Sequence, residues 1–227
     1  MLATILLVLT FIVAALDWLA VYKKWQTVEY ICKPATMVLL FAWMAYASRF
    51  SQPPLLWFGL GVLFSLAGDI FLMLSERWFI AGLVAFLLAH VAYIIGFNLP
   101  LPNISLAWTL SVAIILGLSA ARILRRIVAG LADKGLHKLI RPVIVYGMAI
   151  TLMLLSALLT LFRPEWQTST AVLVSLGALL FFISDIILAW NRFVTPIKHG
   201  RVMNMAAYHL GQIALTLGAV YQYGPYQ

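Results

Sequence analysis

The sequence predicts an all-α polytopic membrane protein with eight transmembrane helices, arranged as two parallel four-helix repeats. Three observations lead there. Of 227 residues, 64% are hydrophobic and only 10% charged, against about 45–50% and about 25% in soluble domains. Apolar runs of the roughly 20 residues needed to cross a bilayer recur between proline-, glycine- and asparagine-bearing breaks. Thirteen of the fifteen Lys and Arg residues fall in alternate connections. Such a composition excludes an ordinary soluble enzyme, a disordered chain and a disulfide-stapled module. The single cysteine, Cys32, leaves no intrachain disulfide and no cysteine-based metal site.

Each span has a local reason for its limits. The first, 2–22, lacks a basic leader and is followed by Lys23 and Lys24, so it reads as a retained span rather than a cleaved signal. The second, 33–50, opens on Lys33-Pro34, where proline in a first helical turn loses no hydrogen bond. Ser51-Gln52-Pro53-Pro54 separates it from the third, 55–74. The fourth, 78–97, stops at Leu99-Pro100-Leu101-Pro102-Asn103, because proline lacks the amide donor and clashes with the preceding turn. The fifth is 104–121. Arg122 to Arg141 is the one long polar connection, and Arg141-Pro142 opens the sixth span, 142–162. The seventh and eighth are 170–190 and 202–222. Nothing is left over for a second domain, so residues 1–227 form one integral membrane domain.

The basic residues give the orientation. Only Arg49 and Arg163 lie on the side opposite the other thirteen, and cytoplasmic loops carry the excess of Lys and Arg. Both termini are therefore expected outside the cytoplasm, in a bacterial inner membrane. The net charge of +8 reads as this signal, with attraction to anionic lipid, and no nucleic-acid partner is expected.

Weak internal similarity suggests the duplication. Gly61 to Leu72, with Asp69, aligns with Gly177 to Leu188, with Asp185; glycine and aspartate are eight residues apart in both. Each copy follows a span opening on a basic residue and proline, and precedes one bearing a histidine and a tyrosine (His90 and Tyr93; Tyr208 and His209). The repeats are about 1-100 and 104-222, related by an axis along the membrane normal, which places Asp69 and Asp185 at equal depth.

Ionisable groups inside a bilayer cost several kcal/mol, about 3 at a helix centre, and mark cavities or partners. Asp69 shares a face with Gly61, Ser65, Gly68 and Leu72, and Asp185 with Gly177, Phe181, Ser184 and Leu188. A buried acid can also simply hydrogen-bond a neighbouring helix. Asp17 has no counterpart in the fifth span and is expected to snorkel toward Lys23 and Lys24. His90 and Tyr93 project together. Arg201, Met205, Tyr208 and Gln212 share a face from which His209 is turned away, and His137 and His199 fall in connections. Asn191 suits either a lipid headgroup or closure of its own helix. There is no nucleophile elbow, zinc-protease motif, P-loop or dinucleotide fingerprint. No metal and no cofactor are expected.

The strings Gly68-Asp69-Ile70-Phe71-Leu72 with Phe79, Gly82, His90 and Tyr93, and Ser184-Asp185 through Leu188, Asn191, Arg192 and Phe193, resemble the YhhN-like lysoplasmalogenase family of multi-pass membrane proteins. Lys33-Pro34, Tyr146 with Met153 and Ala157, and Tyr208 with Gln212 fit the same pattern over roughly 30–215. The resemblance implies hydrolysis of the vinyl ether bond of lysoplasmalogens, with a lysophospholipid substrate, membrane lipids around it and an open oligomeric state. The duplicated aspartate stripes point to Asp69 and Asp185 as the acid/base pair for that chemistry. Lys33, His90, Tyr93, Tyr146, Asn191, Arg192, Tyr208 and Gln212 would bind substrate. Two carboxylates in different surroundings can hold different protonation states, as in glycoside hydrolysis, whose cation is of similar character. The competing expectation is a proton-coupled transporter or lipid-handling protein that uses the same aspartates as a relay.

Overall fold

A computed structural model of the chain describes residues 1–102 and 105–225. Within them are eight long α-helices and no strand: α1 (Leu2–Lys23), α2 (Gln26–Ser48), α3 (Pro53–Met73), α4 (Phe79–Phe97), α5 (Leu106–Asp133), α6 (His137–Leu159), α7 (Thr168–Ala189) and α8 (Gly200–Tyr223). Asn103 and the expected start of the fifth span at 104 lie outside the described residues. Seven helices are long and apolar enough to cross a membrane. The exception, α8, is long enough but carries Asn204, His209, Gln212 and Gln222, all turned inward and buried. These apolar helices, with large apolar residues on their outer faces, are those of an integral membrane protein.

Helix ends depart from the hydropathy limits at three places. α2 starts at Gln26, so Pro34 lies inside the helix and not in its first turn. Glu29 and Lys33 are tolerated there, though buried, because Glu29 accepts two hydrogen bonds from Arg201 (2.7 and 2.9 Å) and Lys33 pairs with Asp69. α6 likewise begins at His137 and encloses Pro142. The polar stretch after 121 is no loop: α5 runs on to Asp133, with Arg122, Arg125 and Arg126 exposed and Ile127, Gly130 and Leu131 buried. Gly130 is required there, because a Cβ would strike the carbonyl oxygen of Phe193. α7 itself ends in a wider π turn, Trp190–Val194, so the basic ends of α5, α6 and α7 close on one small core of Ile127, Leu131, Val143 and Phe193.

Sequence neighbours pack as pairs: α1 on α2, α3 on α4, α5 on α6 and α7 on α8, with α4–α6 and α2–α8 joining them. Small residues set the closest approaches, as expected where lipid gives helices no hydrophobic reason to associate. Gly177 of α7 faces the Gly211 carbonyl oxygen at 2.9 Å from where a Cβ would stand, and Gly211 faces Gly177 in return. Gly61 and Gly68 of α3 make room for the rings of Tyr93 and Phe86 of α4. The outer half of α5 is the loosest part of the bundle: Trp108, Ile114 and Leu118 are more than half exposed. Apolar residues in such numbers on the outside suit a lipid surround.

Candidate active site

Two polar centres sit inside the bundle. In the first, Asp69 of α3 is almost wholly buried. Lys33 Nζ of α2 lies 3.1 Å from its Oδ1, and the Tyr208 hydroxyl of α8 donates to its Oδ2 at 2.6 Å. Beside it Tyr93 donates to Gln212 Oε1 (2.6 Å), and Gln212 Nε2 donates to Ser65 Oγ (2.9 Å). The glycine–aspartate stripe thus works as a pattern: the small residues of α3 admit α4 rings, and the same face presents Ser65 and Asp69 to α8.

The second centre is built on Asp185 of α7. The Tyr146 hydroxyl of α6 donates a short hydrogen bond to Asp185 Oδ2. His90 Nε2 of α4 lies 3.1 Å from that hydroxyl and 3.5 Å from Oδ2. A tyrosine has one hydroxyl proton, already given to Asp185, so His90 Nε2 must be the donor to Tyr146. His90, Tyr146 and Asp185 thus form one hydrogen-bonded chain. The buried Nδ1 of His90 has no partner.

The two carboxylates do not pair with each other; each has its own partners. Phe181 and Phe86 join the centres, with Phe181 packed on His90 (ring centroids 4.9 Å) and on Tyr208 (5.5 Å), and Phe86 on both Phe181 and Tyr208. Their partners nevertheless follow one rule. Asp69 is met by α2 and α8, and Asp185 by α6 and α4.

Three cavities meet this core. An apolar crevice of about 350 Å³ lies between α5, α6 and α7, from Gly117, Met148 and Leu152 inward to Tyr146 and Asp185. Met148 and Leu152 are about half exposed, so its mouth is on the outer, lipid-facing surface. A polar cavity of about 530 Å³ at the basic end is lined by Lys24, Glu29, Tyr30, Lys33, Arg201 and Asn204. A narrow gap of about 40 Å³ touches Tyr146, Asp185 and Arg192, and shares Leu72 and Leu188 with the polar cavity. Asp185 therefore lines both the apolar crevice and the narrow gap, and the gap adjoins the polar cavity at Leu72 and Leu188.

The structure brings together Lys33, Asp69 and Tyr208, then Tyr93 with Gln212, and His90, Tyr146 and Asp185. Arg192 reaches the edge of the Asp185 gap but is paired with Glu76 and lies over the Phe79 ring, 4.1 Å from its centroid. Asn191 lies apart: its Oδ1 accepts the Ile197 amide at 2.7 Å, closing the turn into α8. One expectation is corrected: Asp17 does not snorkel; it is completely buried. His209 is turned away from the face of Tyr208 and Gln212, as expected, and is buried beside Asp17, its Nδ1 accepting the Trp18 indole N–H at 3.1 Å. The packing of α1 onto α8 creates this contact across 191 residues, which no local periodicity signals. No group of three or more His, Cys, Asp or Glu side chains that could hold a metal ion occurs among the described residues.

Comparison with known proteins agrees with the motifs. The chain is 31% identical over 202 residues to rat (Rattus norvegicus) lysoplasmalogenase TMEM86B, covering 87% of this chain and 74% of the relative. It is 29% identical to the mouse (Mus musculus) TMEM86B enzyme, covering 89% and 80%. With human (Homo sapiens) lysoplasmalogenase TMEM86A the identity is 26%, covering 87% and 79%. No solved structure matches. The model of the YhhN family matches residues 28–219, a segment that takes in both aspartate centres and leaves out α1. The chain belongs to the YhhN family.

Proposed function

We propose that this chain is a membrane hydrolase that cleaves the vinyl ether bond of lysoplasmalogens, with Asp185 and Asp69 as its acid/base pair. One observation carries this reading: the apolar crevice, open to the lipid, ends on a carboxylate held by a tyrosine and a histidine. A single lipid chain entering there puts its proximal end, where the vinyl ether lies, against Asp185. The glycerophospho headgroup then points through the narrow gap toward Arg192, Lys33 and the polar cavity.

Vinyl ether hydrolysis starts with protonation of the β-carbon, which leaves an oxocarbenium ion at the α-carbon and its oxygen. Asp185 supplies that proton and, once ionised, stabilises the cation. Tyr146 and His90 hold that carboxylate in place through their hydrogen bonds. A water molecule adds to the α-carbon and gives up a proton to Asp69. Lys33 makes this possible by leaving Asp69 for the substrate phosphate, a shift open to it because it lines the polar cavity. The hemiacetal then collapses: Asp69 gives its proton to the glycerol oxygen as the carbon–oxygen bond breaks, the hemiacetal hydroxyl returns a proton to Asp185, and a fatty aldehyde and a glycerophosphoethanolamine or glycerophosphocholine result. Tyr208, Gln212 and Tyr93 hold the Asp69 side in place.

Two repeats, about 1-100 and 104-222, belong to this proposal, because a two-fold relation between them produces the α2/α8 and α6/α4 settings of the two aspartates. The basic end then lies in the cytoplasm and the termini outside. The test is vinyl-ether turnover by purified, monodisperse Asp185→Asn and Asp69→Asn proteins. Each is expected to lose at least about a hundredfold in kcat. Full activity in either would remove that residue from the mechanism.

A further inference from the structure

The mechanism leaves one buried ionisable pair unused. Asp17 of α1 and His209 of α8 are both completely inaccessible to solvent. Neither oxygen of Asp17 has a hydrogen-bond partner, and neither does His209 Nε2. Buried polar groups are almost always satisfied, so three orphaned atoms in one contact call for an explanation. Leaving a buried carboxylate unpaired inside a bilayer is costly.

The hydrogen-bond pattern supplies one. The Trp18 indole can only donate, so His209 Nδ1, which takes its proton at 3.1 Å, is an acceptor and the ring is neutral with its hydrogen on Nε2. Asp17 Oδ2 stands 4.0 Å from that same Nδ1. Two acceptors therefore face each other with nothing between them. One added proton, on either atom, turns this contact into a hydrogen bond and displaces the Trp18 N–H. The charged groups whose fields reach Asp17 are Lys33 and Glu29 of α2, Asp69 of α3 and Arg201 of α8. Lys33 also holds Asp69, and Tyr208, the chain neighbour of His209, donates to Asp69. Lys33 is paired with Asp69 and makes no ion pair with Asp17, so a negative Asp17 acts on that ammonium group through its field.

We propose that Asp17 and His209 hold one exchangeable proton between them and, by drawing on or releasing Lys33, set how firmly Asp69 is paired. They are positioning residues that act through Lys33 and do not touch substrate. A proton on the pair leaves Lys33 with Asp69 and keeps the base covered. Loss of that proton pulls Lys33 away and uncovers Asp69. The catalytic consequence rests on the hydrolase reading above; the proton-holding pair does not.

Two measurements test the two parts separately. Infrared difference spectra of the purified protein between acid and alkaline buffer need no substrate. They are expected to show a protonated-carboxyl C=O band that disappears in Asp17→Asn and shifts in His209→Gln. Spectra of both variants that superimpose on the wild type would overturn the pair. The second measurement is the pH profile of kcat for vinyl-ether turnover. Asp17→Asn is expected to lose one ionisation and about tenfold in kcat and His209→Gln to move that ionisation along the pH axis, both with KM within about twofold, and Asp17→Glu to restore the profile. Profiles parallel to the wild type would overturn the coupling to Asp69. If Asp17→Asn does not fold, His209→Gln decides both parts alone. A wild type that releases no aldehyde would defeat the hydrolase reading and leave the infrared result standing.

Discussion

Lys33 and Asp69 show at single-residue scale why the polar core is expensive to disturb. Both are buried and 3.1 Å apart, and removing one partner strands the other charge. Lys33→Met is expected to cost about 3–5 kcal/mol in unfolding free energy, and Lys33→Met with Asp69→Asn to recover most of it. Denaturation of the detergent-solubilised proteins checks this, and equal losses in the single and double variants would deny the pair a structural role. Tyr146→Phe removes the hydroxyl that links His90 to Asp185 while keeping the ring. Its kcat is expected to fall about 10²-fold with folding intact. The aspartates, His90 and Tyr208 were legible in the sequence because polar residues on apolar helical faces stand out. Their partnerships were not. Nothing in a local pattern says that Asp69 meets α8 while Asp185 meets α4, or that Asp17 finds His209.

At the scale of elements, hydropathy located every span but misplaced ends wherever a charge is paired or a helix outruns the bilayer. Lys33 and Glu29 looked like a boundary and are inside α2, since Asp69 and Arg201 satisfy them. The Arg122–Asp133 stretch looked like a loop because its arginines are exposed, yet its other face buries Ile127 and Leu131 against Phe193. The loose packing of α5 has a functional use in this account: it leaves the crevice open. A Cβ on Gly117 would meet nothing within 4 Å, so Gly117→Leu is expected to fold normally and fill the slot. Turnover of long-chain lysoplasmalogens should drop about tenfold or more while shorter chains are spared. An unchanged chain-length profile would place the lipid chain elsewhere. By contrast Gly211→Leu forces apart the backbones of α7 and α8 and is expected to prevent folding, read as loss of a monodisperse peak.

For the whole molecule, the shortage of charge proved the most informative single feature. All-helical membrane architecture followed directly from it, and the few ionisable residues left inside were nearly all drawn into two centres and one satellite pair. What composition does not encode is where space remains. The crevice, the gap and the polar cavity arise from how eight helices fail to fill one another, and they put Asp185, and Lys33 beside Asp69, on the walls of a candidate site for a single-chain lipid. The chemistry proposed for the chain is protonation of a vinyl ether at carbon followed by addition of water. Mass spectrometry of the products formed from a lysoplasmalogen by the purified protein in D₂O reads it out. Equal amounts of fatty aldehyde and glycerophospho alcohol are expected, the aldehyde carrying one deuterium on the carbon next to its carbonyl. Intact lipid, or aldehyde without that deuterium, would contradict it.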